Sequence, residues 1–310
     1  MSFERHVRSH ALRLSAGLLA LIACPLGAQE QAAAAPSPPP VTADVPAGAV
    51  AGLGDINLFP KRLVLDGSRE IAMIGLYNKA ASESDYEITL RNLRMTSEGQ
   101  LVPLEAGDPA ASDVRPASDL VRHSPRRVTL RPDESQTVRL MLRAPADLPP
   151  GEYRTHFQVV SVPRDVVDGV SITDAVGAAE TGGIGVKIRP RIGLSIPVIV
   201  RIGATTLEAG VADARVLTAA DGSQAVEFML TRRGTRSAYG DITITAAGLG
   251  EPLAVLRGVG IYPEVSARRV TVPLPGGQPA LRQGTRLKIS FTDDDHAPGT
   301  LLATHEFAVP

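Results

Sequence analysis

The sequence predicts an all-β chain built as two β-sandwiches, on three observations. Short runs with period-two alternation recur along most of the chain, each closed by a turn signal. No apolar pattern of helical period lasts long enough to compete with them. The runs fall into two series, each with about the strand number and length of a sandwich. With 310 residues, two domains of ordinary size are expected. Hydrophobic residues make up 44% but aromatics only 4%, with no Trp, so the cores must be aliphatic.

Residues 1–28 read as an export signal. Arg5, Arg8 and Arg13 precede the apolar stretch Leu14 to Leu26, and Leu26-Gly27-Ala28 supplies a cleavage site. The stretch is too short to span a bilayer, and no later segment offers a transmembrane helix. Cys24, the only cysteine, gives Leu21-Ile22-Ala23-Cys24 an alternative reading as a lipoprotein site. Cleavage after Ala28 instead leaves no thiol, which removes disulfides and Cys–metal sites from that form. Residues 29–54 are Ala- and Pro-rich, with Pro36, Pro38, Pro39 and Pro40, and read as a disordered leader.

The first series occupies residues 55–203. Its strands are expected at Asn57–Leu65, Glu70–Asn78, Asp85–Leu93, Arg126–Leu130, Gln136–Arg143, Glu152–Val162 and Ile184–Val200. The second occupies 204–310, with strands at Ala212–Thr218, Ala225–Thr231, Asp241–Ala246, Leu253–Ile261, Arg269–Leu274, Arg286–Phe291 and Leu302–Val309. Two hairpins echo each other: Ile71–Asn78 turning to Tyr86–Leu90, and Ala225–Leu230 turning to Tyr239–Ile244.

The run Ile184–Val200 stands apart. Its even positions, from Ile184 and Val186 through Ile188 to Val198 and Val200, are apolar, while its odd positions are mostly polar or small. Side chains alternate between faces, so this is a long strand with one apolar and one basic side. It exceeds the usual five or six residues, which leaves apolar side chains to lend to a partner. Val186, Ile188 and Ile192 are the candidates for donation, and core packing is the alternative use of the same face. Leu194 to Val200 is assigned to the core.

Several function classes find no support. Basic and acidic side chains number 32 and 33, whereas a nucleic-acid binder usually carries a basic excess. No paired-His metal motif, nucleophile elbow or phosphate loop is present, so neither an enzyme nor a cofactor is expected. Thr181–Gly185 is Gly-rich but precedes a strand rather than a helix. Asp293-Asp294-Asp295-His296 is read as a solvated turn, and His123, His156 and His305 lack metal spacing.

Four segments resemble the PapD-like periplasmic chaperones of the chaperone–usher pilus pathway. They are Pro60–Gly67; Leu76-Tyr77-Asn78 with Tyr86-Glu87-Ile88; Ser124–Leu130 with Pro132, Glu134–Arg139 and Gly151–Arg154; and Ile196–Arg201. The resemblance covers about Asn57 to Gly203, and beyond it only Ser237–Asp241 is similar. It implies two immunoglobulin-like sandwiches, a periplasmic location and an ATP-independent chaperone. Its partners would be pilin-like subunits capped by strand donation and an outer-membrane usher that receives them. Arg62 matches the family's first-strand arginine, which with a last-strand lysine anchors the client's C-terminal carboxylate. Pro197 stands where that lysine would be. Arg191 is taken as the second anchor, among the neighbouring cations Lys187 and Arg189. The resemblance also places the 164–183 connection beside the client, with Val166, Val167, Val170 and Ile172 extending its apolar surface. The alternative function is a structural or adhesive envelope protein with no client.

Overall fold

A computed structural model describes residues 50–51, 56–105, 107–108, 113–163, 191–276 and 281–310. Among them the regular structure is all strand, arranged as two sandwiches, and no helix is long and apolar enough to cross a membrane. The expected signal, the leader up to residue 49, and Val186 and Ile188 lie outside the described residues.

The first sandwich contains β1 (Val50–Ala51), β2 (Ile56–Phe59), β3 (Leu63–Asp66), β4 (Arg69–Asn78) and β5 (Ser84–Arg91). A hairpin of β6 (Leu93–Met95) and β7 (Leu101–Pro103) follows. Then come β8 (Val121–Ser124), β9 (Arg127–Leu130), β10 (Ser135–Arg143), β11 (Gly151–Val162) and β12 (Gly193–Ile202). One sheet has the order β1-β2-β4-β10-β8 and the other β3-β12-β11-β5-β9. The sequence predicted one strand over Asn57–Leu65, but the chain divides it between both sheets. Pro60 has no amide to give to a ladder, so pairing stops there and resumes at Leu63 in the opposite layer.

The second sandwich packs β13 (Leu207–Thr218), β14 (Gln224–Gly234) and β17 (Ala267–Pro273) against a second sheet. That sheet runs β16 (Ala254–Ile261), β15 (Ala238–Ala246), β18 (Arg286–Asp293) and β19 (Leu301–Ala308).

Each sandwich has its own aliphatic centre. Leu58, Leu65, Ile74, Leu76, Val138 and Val198 are fully buried in the first, and Val226, Leu230, Ile242 and Ile289 in the second. Burial of each such side chain contributes roughly 1.5–3 kcal/mol, which explains how a chain without Trp sustains two cores. A third apolar cluster joins them: Met95 of the hairpin, Ile199 of β12, Tyr239 and Tyr262.

Candidate functional site

The site grows out of the alternation along β11 and β12. On β11, Tyr153, Phe157 and Val159 point into the first core, so Glu152, Arg154 and His156 must face the other way. On β12, Ile196, Val198 and Val200 enter the core, which turns Pro197, Ile199 and Arg201 outward. That outward face is covered by the second sandwich, so three charged or titratable side chains on β11 and one on β12 become buried.

At the join they pair both with one another and with the second sandwich. Arg201 Nε donates to Glu152 Oε2 at 3.3 Å, and Arg201 Nη2 donates to Asp295 of the second sandwich. Glu152 Oε2 also accepts from the Ser237 amide at 3.1 Å and from its hydroxyl at 3.0 Å. Burial pushes the Glu152 carboxyl up, opposed by Arg201 and the Ser237 donors. Arg154 grips Glu264 with two nitrogens, at 2.6 and 3.2 Å, and lies 3.4 Å over the Tyr262 ring. His156 is 1% exposed and next to Arg154, and burial first and that charge second lower its pKa to about 3. These ion pairs are weak evidence for net stability, because desolvation opposes them. They do make the fit between the sandwiches specific in charge and geometry.

The acidic run Asp293–Asp295, expected as a solvated turn, is an internal device. Asp293 is 3% exposed and accepts the amides of Asp295, His296 and Ala297. Asp294 faces Lys61 and Arg62, and Asp295 faces Arg201 and Arg62. The turn is held by its own carboxylate, which aims the next two at the first sandwich. No signal in a single sequence couples Asp295 to Arg201 or Glu264 to Arg154.

Arg62 lies where the first sandwich meets the second. Its Nη2 donates to the Asp294 carbonyl at 2.9 Å and carboxylate at 3.0 Å, and its guanidinium centre sits 4.3 Å from the Tyr239 ring centroid. Arg191 pairs with Glu87 of β5 at 2.9 Å. Since Arg62 precedes the Leu63–Val198 pairing, it lies level with Pro197, and Arg191, just ahead of β12, is six residues away, roughly 20 Å at strand rise. The two are not brought together. Ile192, half-buried, exchanges bonds with Ser161 of β11 through its own amide and carbonyl.

Two further features mark this region. Along β12, Val198–Arg201 pairs with β3 on one side and β11 on the other, whereas Gly193–Pro197 pairs with β11 alone among the described residues. That leaves a half-open strand edge. At its upper end a cleft of about 440 Å³ is bordered by Lys61, Arg62, Pro197, Tyr239, Arg257 and Arg268.

No family model matches the chain, and no curated protein matches it. Solved structures similar to it include the YadV chaperone, at 14% identity and TM-score 0.43, covering 82% of this chain and 100% of that one. The Escherichia coli chaperone DraB is similar at 13% identity and TM-score 0.40, covering 82% and 96%. So is the Salmonella enterica SafA pilin complex with the SafB chaperone, at 13% identity and TM-score 0.39, covering 84% and 99%. At these identities the likeness is at most one of fold.

Proposed function

We propose that this protein is an ATP-independent periplasmic chaperone that binds pilin-like subunits by strand donation and hands them to an outer-membrane usher. The half-open edge of β12 over Gly193–Pro197, leading into a cation-bordered cleft, carries this reading. An extended client segment would add to that edge, its backbone supplying the ladder bonds that β3 supplies farther up. The apolar residues Val186, Ile188 and Ile192 would fill the client's groove, and Arg62 would stand beside the client's arriving carboxylate. The four segments that resemble the PapD-like chaperones support the same reading. Nothing in this function requires catalysis.

A second reading, a structural envelope protein without a client, is favoured by one observation. The two sandwiches are locked by buried ion pairs, as a load-transmitting pair of domains would be. Tagged mature protein purified from the periplasm separates the two. The chaperone reading expects a stoichiometric, small, β-rich secreted subunit that is lost with Ile188→Asp while the variant stays folded. A clean monomer from cells that are expressing pili supports the second reading instead.

A further inference from the structure

The outer face of the sheet β1-β2-β4-β10-β8 carries an apolar stripe that the proposed function does not use. Ile74 and Leu76 on β4, and Val138, Leu140 and Leu142 on β10, point into the first core. Alternation therefore turns Ile71, Met73 and Tyr77 outward on β4, and Arg139, Met141 and Arg143 outward on β10. Ile71 is 53% exposed and Met73 61%, and the register sets Ile71 beside Met141 and Met73 beside Arg139. Phe59 of β2, also exposed, stands opposite Gly75. The Tyr77 ring folds back over Gly75, where a Cβ would meet it at 2.9 Å, and carries the stripe to the Phe59 row.

The stripe is edged by cations alone. Arg69 pairs in register with Arg143, and Arg122 of β8 with Met141, so that with Arg139 four exposed guanidinium groups flank one side and one end. The outward positions of β2, β4, β10 and β8 hold no carboxylate, and none of the four arginines has an ion-pair partner among the described residues. By contrast, Arg215 and Arg257 on the second sandwich face Glu227 and Asp241. Like charges directly opposite on neighbouring strands destabilise a sheet. An anion held by both Arg69 and Arg143 relieves that repulsion, and a guanidinium takes a phosphate through two parallel bonds.

We infer that this face lies against an anionic phospholipid surface. Arg69 and Arg143 hold headgroup phosphates, Arg122 and Arg139 add to the attraction, and Ile71 and Met73 reach the acyl boundary. The chain enters this same sheet through β1, beside β2, so its N-terminal side joins the sandwich at the edge of the bound face. The β12 edge belongs to the opposite sheet and stays free, which makes the inference independent of any client.

Cosedimentation with vesicles tests it, using the mature chain and bilayers of phosphatidylcholine alone or with an equal part of phosphatidylglycerol. The anionic vesicles should bind at least about tenfold more tightly, and added salt should weaken that binding. Each arginine near the surface contributes roughly fivefold, so Arg69→Gln combined with Arg143→Gln should lose about twentyfold. Met73→Ser should weaken binding at unchanged charge, because it withdraws a side chain from the acyl boundary. Arg215→Gln, on the second sandwich, should leave binding as it is. All these side chains are exposed or paired only at the surface, so each variant should keep the fold. Equal binding to both vesicles, or binding to neither, overturns the inference. So does anionic binding that is unchanged by the Arg69 and Arg143 substitutions or by Met73→Ser. An acidic protein captured through Arg69 and Arg143 while vesicles stay unbound also overturns it, and gives the face to a protein partner.

Discussion

At the scale of single residues, the join between the sandwiches is where chemistry and stability are coupled. Asp295 is shared by Arg201 and Arg62, so Asp295→Ala leaves each with one carboxylate partner, Glu152 for Arg201 and Asp294 for Arg62. Losing a charge-assisted bond in a buried place costs about 1.5–3 kcal/mol, and the denaturation midpoint should fall accordingly. Arg62→Ala should lower it as well, since the side chain is only 10% exposed and spans Asp294 and Asp295. His156 makes a separate prediction. Its folded pKa of about 3 lies below the ordinary 6.5, so between those values the unfolded chain binds the extra proton. Its contribution is fully present above pH 6.5 and is lost as pH falls toward 3, at about 1.4 kcal/mol per pH unit. His156→Leu should flatten that part of the stability–pH curve; an unchanged slope assigns the acid sensitivity to other groups.

At the scale of elements, most of the fold was legible because period-two alternation is local. The expected strand Glu70–Asn78 is β4 at Arg69–Asn78, and Gln136–Arg143 is β10 at Ser135–Arg143. The hairpin of β6 and β7 was not foreseen: its strands have three residues each, too short for alternation to register, and its purpose is a contact with β17 far along the chain. The polar contacts of the join were hidden for the same reason, since Glu152 meets Ser237 and Arg154 meets Glu264 only after both sandwiches have formed. The long run Ile184–Val200 is described from Arg191 onward, and its apolar side chains serve the core at Ile196, Val198 and Val200 of β12. This divides the strand into testable halves. Ile196→Asp should unfold the first sandwich, as burying an unpaired charge implies, whereas Ile188→Asp should leave melting unchanged and abolish client binding. Loss of folding in both variants would place Ile188 in the core.

At the scale of the whole molecule, two sandwiches with separate cores are joined by a third apolar cluster and buried ion pairs. Such a join should make them unfold together, as one calorimetric transition at neutral pH. Arg154→Met, which strands Glu264 beside the hairpin, should split that transition in two. Two separated transitions in the wild type would show that the join is too weak to set the cleft. A fixed join also places cations of the second sandwich beside Pro197, at the end of the β12 stretch that pairs with β11 alone among the described residues.

Amide hydrogen exchange across residues 184–197, measured with and without the co-purified subunit, tests the central claim most directly. Strand donation predicts that these amides gain protection in the complex, in an alternating pattern that stops at Pro197. A stable complex with exchange over 184–197 unchanged, and protection gained elsewhere, would contradict it.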